Sequence, residues 1–312
     1  MRLFLAFMLF LLATPLAVRA DSGAVGSAVI AIADGTARPI ETAIWYPAEA
    51  TAPGAALRGR DLPLVVMSHG SGASYRSHAE TAVALAGAGF VVAALTHTGD
   101  NFRDNSGAAD LGARTHQLAA VIGYMAGPWN PGAVNPGRVG AFGYSAGGFT
   151  VLAVAGGTPD LGQIPAHCAA HPGFFECRVI ASAAAAASVP TVLAPSPLPL
   201  RALVVAAPAL GFTFGSDSLA ALRFPVQLWH AEEDAILPAA YYAEPVRAAL
   251  PQPPEFHRVA GAGHFDFQDP CSPALARAVP AICTSLPGFD RMAFHARFNA
   301  EIIRFLTEAL RP

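Results

Sequence analysis

Short runs of apolar residues alternate along this chain with stretches in which apolar residues recur at helical spacing. The apolar runs have the length of buried strands and cover residues 64–68, 90–95, 138–142, 202–206, 226–230 and 256–259. Helical periodicity marks residues 75–88, 111–126, 146–156, 240–250 and 290–310. Apolar strands that alternate with helices are typical of a mostly parallel sheet with helices on both faces, so the pattern predicts an α/β fold.

Two segments depart from this alternation. Residues 27–47, SAVIAIADGTARPIETAIWYP, have two β-rich runs around Asp34-Gly35, which predicts a β-hairpin with a tight turn. Residues 157–199 are rich in Ala, Pro and Gly and follow neither period. A loop of that length inside a compact domain is usually functional, so we interpret it as a lid-like insertion.

The first twenty residues, MRLFLAFMLFLLATPLAVRA, have the pattern of a signal peptide: a basic start at Arg2, an apolar stretch, and the small-residue positions Val18 and Ala20. We expect cleavage after Ala20, leaving a single domain at 21–312 and a protein exported to the periplasm or secreted. The alternative is an uncleaved membrane anchor, although the apolar run is short for a bilayer. The uncharged stretch 179–200 is broken by prolines and makes a poor membrane span.

Composition narrows the chemistry. With 53% apolar residues the chain can bury one large core, and a net charge of -3 without long charge runs gives no reason to expect a nucleic-acid partner. The chain has no lysine, which excludes Schiff-base catalysis, a Ser-Lys dyad and a P-loop. No metal or organic cofactor is implied for the reaction, and the oligomeric state stays open.

The four cysteines fall into two local pairs, Cys168 with Cys177 and Cys271 with Cys283. After an export signal, disulfides are expected rather than metal ligation, and the spacings do not resemble zinc knuckles. Three connectivities are possible, and the local one is favoured because each pair then closes a short loop.

The strongest catalytic signal is Gly143-Tyr144-Ser145-Ala146-Gly147-Gly148, between a predicted strand and a predicted helix. A serine on such a sharp turn needs small neighbours, and the turn exposes its hydroxyl above the sheet. The pattern therefore predicts Ser145 as a nucleophile. A structural Gly-rich turn is the alternative interpretation.

A serine nucleophile needs a base and an acid, which on this kind of fold follow it in the order acid, then histidine. His264, in the glycine-rich GAGHF after the last predicted strand, is the candidate base, and a solvent-exposed loop histidine is the alternative. The strand 226–230 ends in an acidic run, from which Asp234 is the favoured acid and Glu233 the second choice.

The oxyanion hole needs two backbone N–H groups near the nucleophile. Ala146, directly after Ser145, supplies one, and Ser71, in the loop after strand 64–68, is the candidate for the other, with Gly72 as the fallback. His69 in that loop is interpreted as structural. Phe102 is either a wall of the substrate cleft or part of an ordinary turn.

These motifs resemble the family of predicted dienelactone hydrolases related to platelet-activating-factor acetylhydrolases and, more distantly, polyester hydrolases. The matching segments are ETAIWYPA, VVMSHGSGASYRSHA, THTGDNFRD, GAFGYSAGG, HAEEDAILP, GAGHFDFQDPCS and GFDRMAFHARFNAEIIRF. The resemblance implies the α/β-hydrolase fold, a triad of Ser145, Asp234 and His264, and oxyanion donors on Ser71 and Ala146. It also implies a disulfide between Cys271 and Cys283, just after the histidine.

The chain departs from that family at two places. Dienelactone hydrolases use a cysteine nucleophile where this chain has Ser145, so their substrate does not carry over. Many relatives have Arg-Pro-x-Asp where this chain reads Arg114-Thr115-His116-Gln117. We expect a serine hydrolase of carboxylic esters that works through an acyl-enzyme. A phospholipase or acetylhydrolase acting on lipid esters, and a non-catalytic binding protein, are the alternatives.

Overall fold

The computed structural model describes residues 23–183, 193 and 198–312. The expected signal peptide and part of the expected insertion lie outside the described residues. The strands are β1 (Val25–Ile32), β2 (Ile40–Pro47), β3 (Ala52–Pro53), β4 (Leu62–Ser68), β5 (Val91–Thr96), β6 (Val134–Tyr144), β7 (Leu200–Ala206), β8 (Val226–Ala231) and β9 (Glu255–Val259). They form one sheet in the order β3-β1-β2-β5-β4-β6-β7-β8-β9.

Strands β4 to β9 run parallel to one another, and β2 joins this sheet antiparallel to β5. The helices are α1 (Ala79–Gly87), α2 (Leu111–Ala126), α3 (Ala146–Val154), α4 (Ile164–Ala170), α5 (Phe175–Ala183), α6 (Ala243–Ala249), α7 (Pro273–Ala278), α8 (Pro280–Cys283) and α9 (Arg291–Ala309). No described helix is both long enough and apolar enough to cross a membrane.

The core has two layers, one on each face of the sheet. On one face, apolar side chains of α2, α3 and α6 pack against the sheet, and on the other those of α1 and α9 do so. Because both faces are covered, the central strands are buried along nearly their whole length and can be apolar at every position. The α/β prediction is thereby confirmed, and the carboxyl ends of the parallel strands share one edge of the sheet.

The first two strands pair antiparallel as predicted, but the predicted tight turn is wrong. The register closes at Ile32 with Ile40, so residues 33–39 form a wide connection. In it the Asp34 carboxylate accepts hydrogen bonds from the backbone N–H and the hydroxyl of Thr36. This side-chain turn replaces the backbone turn that Asp34-Gly35 indicated.

The predicted helix at 75–88 is also divided. Residues 75–78 form a 3-10 turn, capped by the Ser74 side chain, before α1 begins at Ala79. The segment 157–199, for which no regular structure was predicted, contains α4 and α5. Pro165 stands in the first turn of α4, where its missing N–H costs nothing.

Candidate active site

The carboxyl end of β6 leads directly into α3 through Ser145. This residue has φ of 55° and ψ of -120°, a strained combination for a residue with a side chain. Small neighbours permit the turn: a Cβ on Gly147 would lie 1.9 Å from the carbonyl oxygen of Ser68, and one on Gly143 would lie 2.2 Å from that of Gly147. The backbone N–H of Ser145 donates to the carbonyl of Ala206, which fixes the turn against the next strand.

Two side chains from other strand ends meet Ser145. Its Oγ lies 3.1 Å from Nε2 of His264, and Nδ1 of His264 lies 2.7 Å from Oδ2 of Asp234. All three residues are at least nine-tenths buried. The Asp234 carboxylate accepts a hydrogen bond from Nδ1–H, which leaves the Nε2 lone pair facing the serine hydroxyl. This arrangement is able to withdraw a proton from Oγ.

The neighbouring acids do not take part in this chain of hydrogen bonds. Glu232 and Glu233 are exposed, and Glu232 pairs with Arg258 at the surface. Asp234 turns inward because the backbone N–H groups of Ile236 and Leu237 donate to its Oδ1, at 2.9 and 2.7 Å. Its second oxygen is then directed at His264.

Contacts from two other elements hold the His264 loop. The Tyr144 hydroxyl donates to the carbonyl of His264 at 3.0 Å. Arg291, at the start of α9, donates to the carbonyl oxygens of Phe265, Gln268 and Ile282. These hydrogen bonds join the His264 loop to β6 and to α9. The position of the imidazole therefore does not depend on the loop alone.

The loop after β4 begins at the same carboxyl edge of the sheet and carries Ser71 and Gly72. The Gly72 N–H donates to Oδ1 of Asp100 at 2.8 Å, and the Ser71 hydroxyl lies 3.4 Å from Oδ2. Asp100 pairs in turn with Arg114, and both side chains are almost completely buried. Arg114 also donates to the carbonyl of His69, so one ion pair fixes this loop at two points.

His69 has a structural place in this network, as the sequence interpretation held. Its Nε2 accepts the backbone N–H of His97 at 2.9 Å, and its Nδ1 bonds the carbonyl of Gly70. Burial, together with the charge of Arg114, lowers the pKa of His69 to about 3. The imidazole is therefore neutral at physiological pH and serves as a spacer between β4 and β5.

Gln117 stands where many relatives have the aspartate of Arg-Pro-x-Asp. Its Oε1 accepts the Thr98 N–H at 3.1 Å and lies 2.9 Å from Nδ1 of His97, while its amide donates to the Thr98 carbonyl. An amide replaces the carboxylate and keeps α2 bonded to the loop after β5.

A cavity of about 40 Å³ adjoins Ser145, with Ser71 and Ala146 in its wall. Its remaining wall is mostly apolar and consists of Ala108, Ala109, Leu111, Phe175, Glu176, Val179, Ile180, Ala209, Leu210 and Leu237. Phe102 is not part of this wall. Its ring is 60% exposed and stacks with Arg103, so the turn interpretation is the correct one.

The insertion contributes one polar group to the cavity that the sequence did not indicate. Glu176 on α5 is 7% exposed, and it accepts a hydrogen bond from the Tyr242 hydroxyl. Burial raises the pKa of its carboxyl. No motif surrounds Glu176 in the sequence, so no local signal distinguishes it from a surface glutamate.

The two disulfides flank the site. Cys168–Cys177 joins α4 to α5, whose residues form part of the cavity wall, and Cys271–Cys283 closes the segment behind His264. All four cysteines are thus oxidised in the local connectivity. Two disulfides fit an oxidising compartment such as the periplasm or the extracellular space.

The amino-acid sequence was compared with models of known protein families and with curated proteins. The model of the family "Platelet-activating factor acetylhydrolase, isoform II" matches residues 42–119, which include the Ser71 loop and Arg114 but not Ser145, Asp234 or His264. No curated protein matches the chain significantly. The sheet is consistent with the α/β-hydrolase fold, and the similarity to that family over residues 42–119 supports a hydrolase of the esterase or lipase type.

Proposed function

We propose that the protein is a serine hydrolase of carboxylic esters, with Ser145 as nucleophile, His264 as general base and Asp234 as the acid that orients it. The observation that carries the proposal is the unbroken hydrogen-bonded series from Ser145 Oγ through His264 to Asp234. It forms beside a cavity and on a strained strand-to-helix turn, the kind of turn that exposes the hydroxyl of a nucleophilic serine. A binding protein without catalysis has no use for such a strained, aligned series.

The reaction proceeds in two steps. His264 Nε2 accepts the proton of Ser145 as Oγ attacks the ester carbonyl, and the protonated imidazole then gives that proton to the departing alcohol. Water enters, His264 accepts one of its protons, and the hydroxide attacks the acyl carbon. Collapse of this second tetrahedral intermediate releases the carboxylic acid and returns the proton to Ser145.

The oxyanion formed in each step needs two donors. We assign these to the backbone N–H groups of Ala146 and Ser71, since both residues border the cavity at Ser145. The Asp100–Arg114 pair is a positioning device for Ser71, because Asp100 holds the next N–H along the chain, that of Gly72. A donor fixed before the substrate binds needs no reorganisation during the reaction.

The cavity supports a small acyl group. The cavity bounded by the described residues measures about 40 Å³, which accommodates roughly three water molecules and suits an acetyl or propionyl group. Lipid esters with a short acyl chain are therefore the second candidate substrates, favoured by the family match as well as by the apolar wall. In both cases the long or polar part of the substrate would be the alcohol.

We further propose that the chain is exported, with residues 1–20 removed and one hydrolase domain at 21–312. The two disulfides support an oxidising destination. N-terminal sequencing of the protein purified from culture tests this, and we expect the sequence to begin near Asp21. A thiol titration of the native protein should find no free thiol.

The decisive experiment for the reaction is labelling with a fluorophosphonate, combined with hydrolysis of p-nitrophenyl esters of two to twelve acyl carbons. We expect one label per chain, lost in Ser145→Ala, and a rate that falls steeply beyond short acyl groups. Ser182→Ala is the matched control, because Ser182 is exposed on α5. Labelling that persists in Ser145→Ala would disprove the nucleophile.

A further inference from the structure

Two buried hydrogen-bond acceptors lie without partners behind the catalytic loop. They are Oδ1 of Asp269, on the segment after His264, and Nδ1 of His295 on α9, and neither has a hydrogen-bond partner within the described part of the chain. Glu80, at the start of α1, completes the group. One ligand atom of each of the three residues lies within 4.8 Å of those of the other two.

The hydrogen bonds of His295 leave its free nitrogen ready to bind a cation. His295 is fully buried, and its Nε2 lies 2.9 Å from the backbone carbonyl of Asp266, to which it donates a proton. Nδ1 therefore carries the lone pair. A histidine whose second nitrogen donates to a carbonyl is the usual arrangement of a metal ligand, because that bond fixes both the tautomer and the ring.

Asp269 is prepared in a similar way. Its Oδ2 accepts the backbone N–H of Glu80 at 2.7 Å, which caps α1 and leaves Oδ1 free. Oδ1 of Asp269 and Nδ1 of His295 are thus two buried polar atoms that lack a hydrogen-bond partner among the described residues.

The nearby cation does not supply that partner. Arg291 is on the same helix as His295, but its guanidinium donates to the carbonyl oxygens of Phe265, Gln268 and Ile282. Among the described residues, no hydrogen bond joins this guanidinium to the Asp269 carboxylate. The open side of the group is Glu80, which is exposed and provides a route for an ion from solvent.

We infer that Glu80, Asp269 and His295 form a binding site for one zinc ion. The donor set decides the metal: calcium takes six to eight oxygen ligands, whereas zinc binds imidazole nitrogen and carboxylate oxygen in a four-coordinate site. Three protein ligands leave the fourth position to water. The ion would join α1, the His264 loop and α9, which are three separate elements around the active site, and so stabilise the loop that carries His264.

A second group, His167, Glu176 and Cys177, also has ligand-type residues close together. The Cys177 sulfur is consumed by its disulfide with Cys168, so two ligands remain, and a stable zinc site needs at least three. This group serves as an internal comparison for the experiment.

The test uses the full mature chain after dialysis against EDTA, titrated with zinc chloride by calorimetry. We expect one site with a micromolar or lower Kd, and a rise in Tm of about 3–8 °C at a zinc concentration 100 times that Kd. Glu80→Gln, an exposed change that leaves the fold intact, and Asp269→Asn should each weaken binding at least tenfold. Two control variants, Glu49→Gln at an exposed distant position and His167→Gln, should bind as the parent does.

Absence of zinc binding by the parent protein overturns the proposal, since water would then be the partner of the two buried acceptors. It is equally overturned if zinc binds but Glu80→Gln and Asp269→Asn keep the parent Kd, or if His167→Gln abolishes the site. Because binding and Tm are measured without substrate, the result does not depend on the proposed ester hydrolysis.

Discussion

Replacing Asp100 with asparagine removes the negative charge from the buried pair that holds the Ser71 loop. The asparagine side chain would keep an oxygen that can accept the Gly72 N–H, and its size is almost unchanged. The Arg114 guanidinium, however, would lose its charged partner while its side chain remains 2% exposed. The substitution therefore tests the ion pair with little change of shape.

The expected loss of stability follows from that burial. Breaking a buried ion pair by removing one partner costs about 3–5 kcal/mol, because the remaining charge is uncompensated. At the lower value, Tm should fall by roughly 5 °C. Loss of a complete oxyanion donor costs about 10²–10³ in kcat. Since the new amide oxygen still accepts one hydrogen bond, we expect a fall of roughly tenfold in kcat, with KM nearly unchanged.

The assay compares unfolding in urea with steady-state hydrolysis of p-nitrophenyl acetate for Asp100→Asn and a matched control. Glu244→Gln is that control, since Glu244 pairs with Arg247 at the surface, where such pairs contribute less than about 1 kcal/mol. If Asp100→Asn were no less stable than Glu244→Gln, the Arg114 pair would not anchor the loop. If its kcat equalled that of the parent, Asp100 would have no part in positioning Ser71.

Three further outcomes are expected. Asp234→Asn should lower kcat about 10²–10⁴-fold at pH 8 with unchanged circular dichroism, whereas Glu233→Gln should stay within about threefold; the reverse result would move the acid by one residue. Gly147→Ala should lower the free energy of unfolding in urea by about 3 kcal/mol or more, because the new Cβ would lie 1.9 Å from a carbonyl oxygen. A Cβ on Gly215 would have no neighbour within 4 Å, so Gly215→Ala should change that free energy by no more than about 0.5 kcal/mol. Burial lowers the pKa of His69 from 6.5 to about 3, so the protein takes up a proton when it unfolds between these pH values. The free energy of unfolding should therefore fall as the pH drops from 6.5 towards 3. The prediction is contradicted if the urea midpoint of His69→Gln depends on pH as strongly as that of the parent.

The sequence was informative where one short segment contains both the residue and the reason for its geometry. Ser145 lies between two glycines that the turn requires, and His264 follows a strand within a glycine-rich loop, so each could be proposed from its neighbours. The choice of Asp234 over Glu233 was weaker, because it depends on which carboxylate the backbone N–H groups of residues 236 and 237 turn inward.

What the sequence did not indicate depends on contacts between distant segments. The sequence indicated a lid-like insertion at 157–199, but nothing in it shows that Glu176 on α5 borders the cavity. Asp100 and Arg114 are fourteen residues apart and belong to different elements, so their pairing follows from the packing of α2. The hairpin turn was mispredicted for the opposite reason, since a local side-chain bond at Asp34 outcompeted the backbone turn.

The proposed reacting groups and part of the cavity wall come from different parts of the fold. Ser145, Asp234 and His264 follow strands of the sheet, whereas Phe175, Glu176, Val179 and Ile180 reach the cavity from α5. The disulfide Cys168–Cys177 joins that helix to α4, so the two helices form one cross-linked unit beside Ser145. If the proposed reaction is correct, substitutions in these two helices would change the acyl site without moving the reacting groups, so selectivity could be altered there.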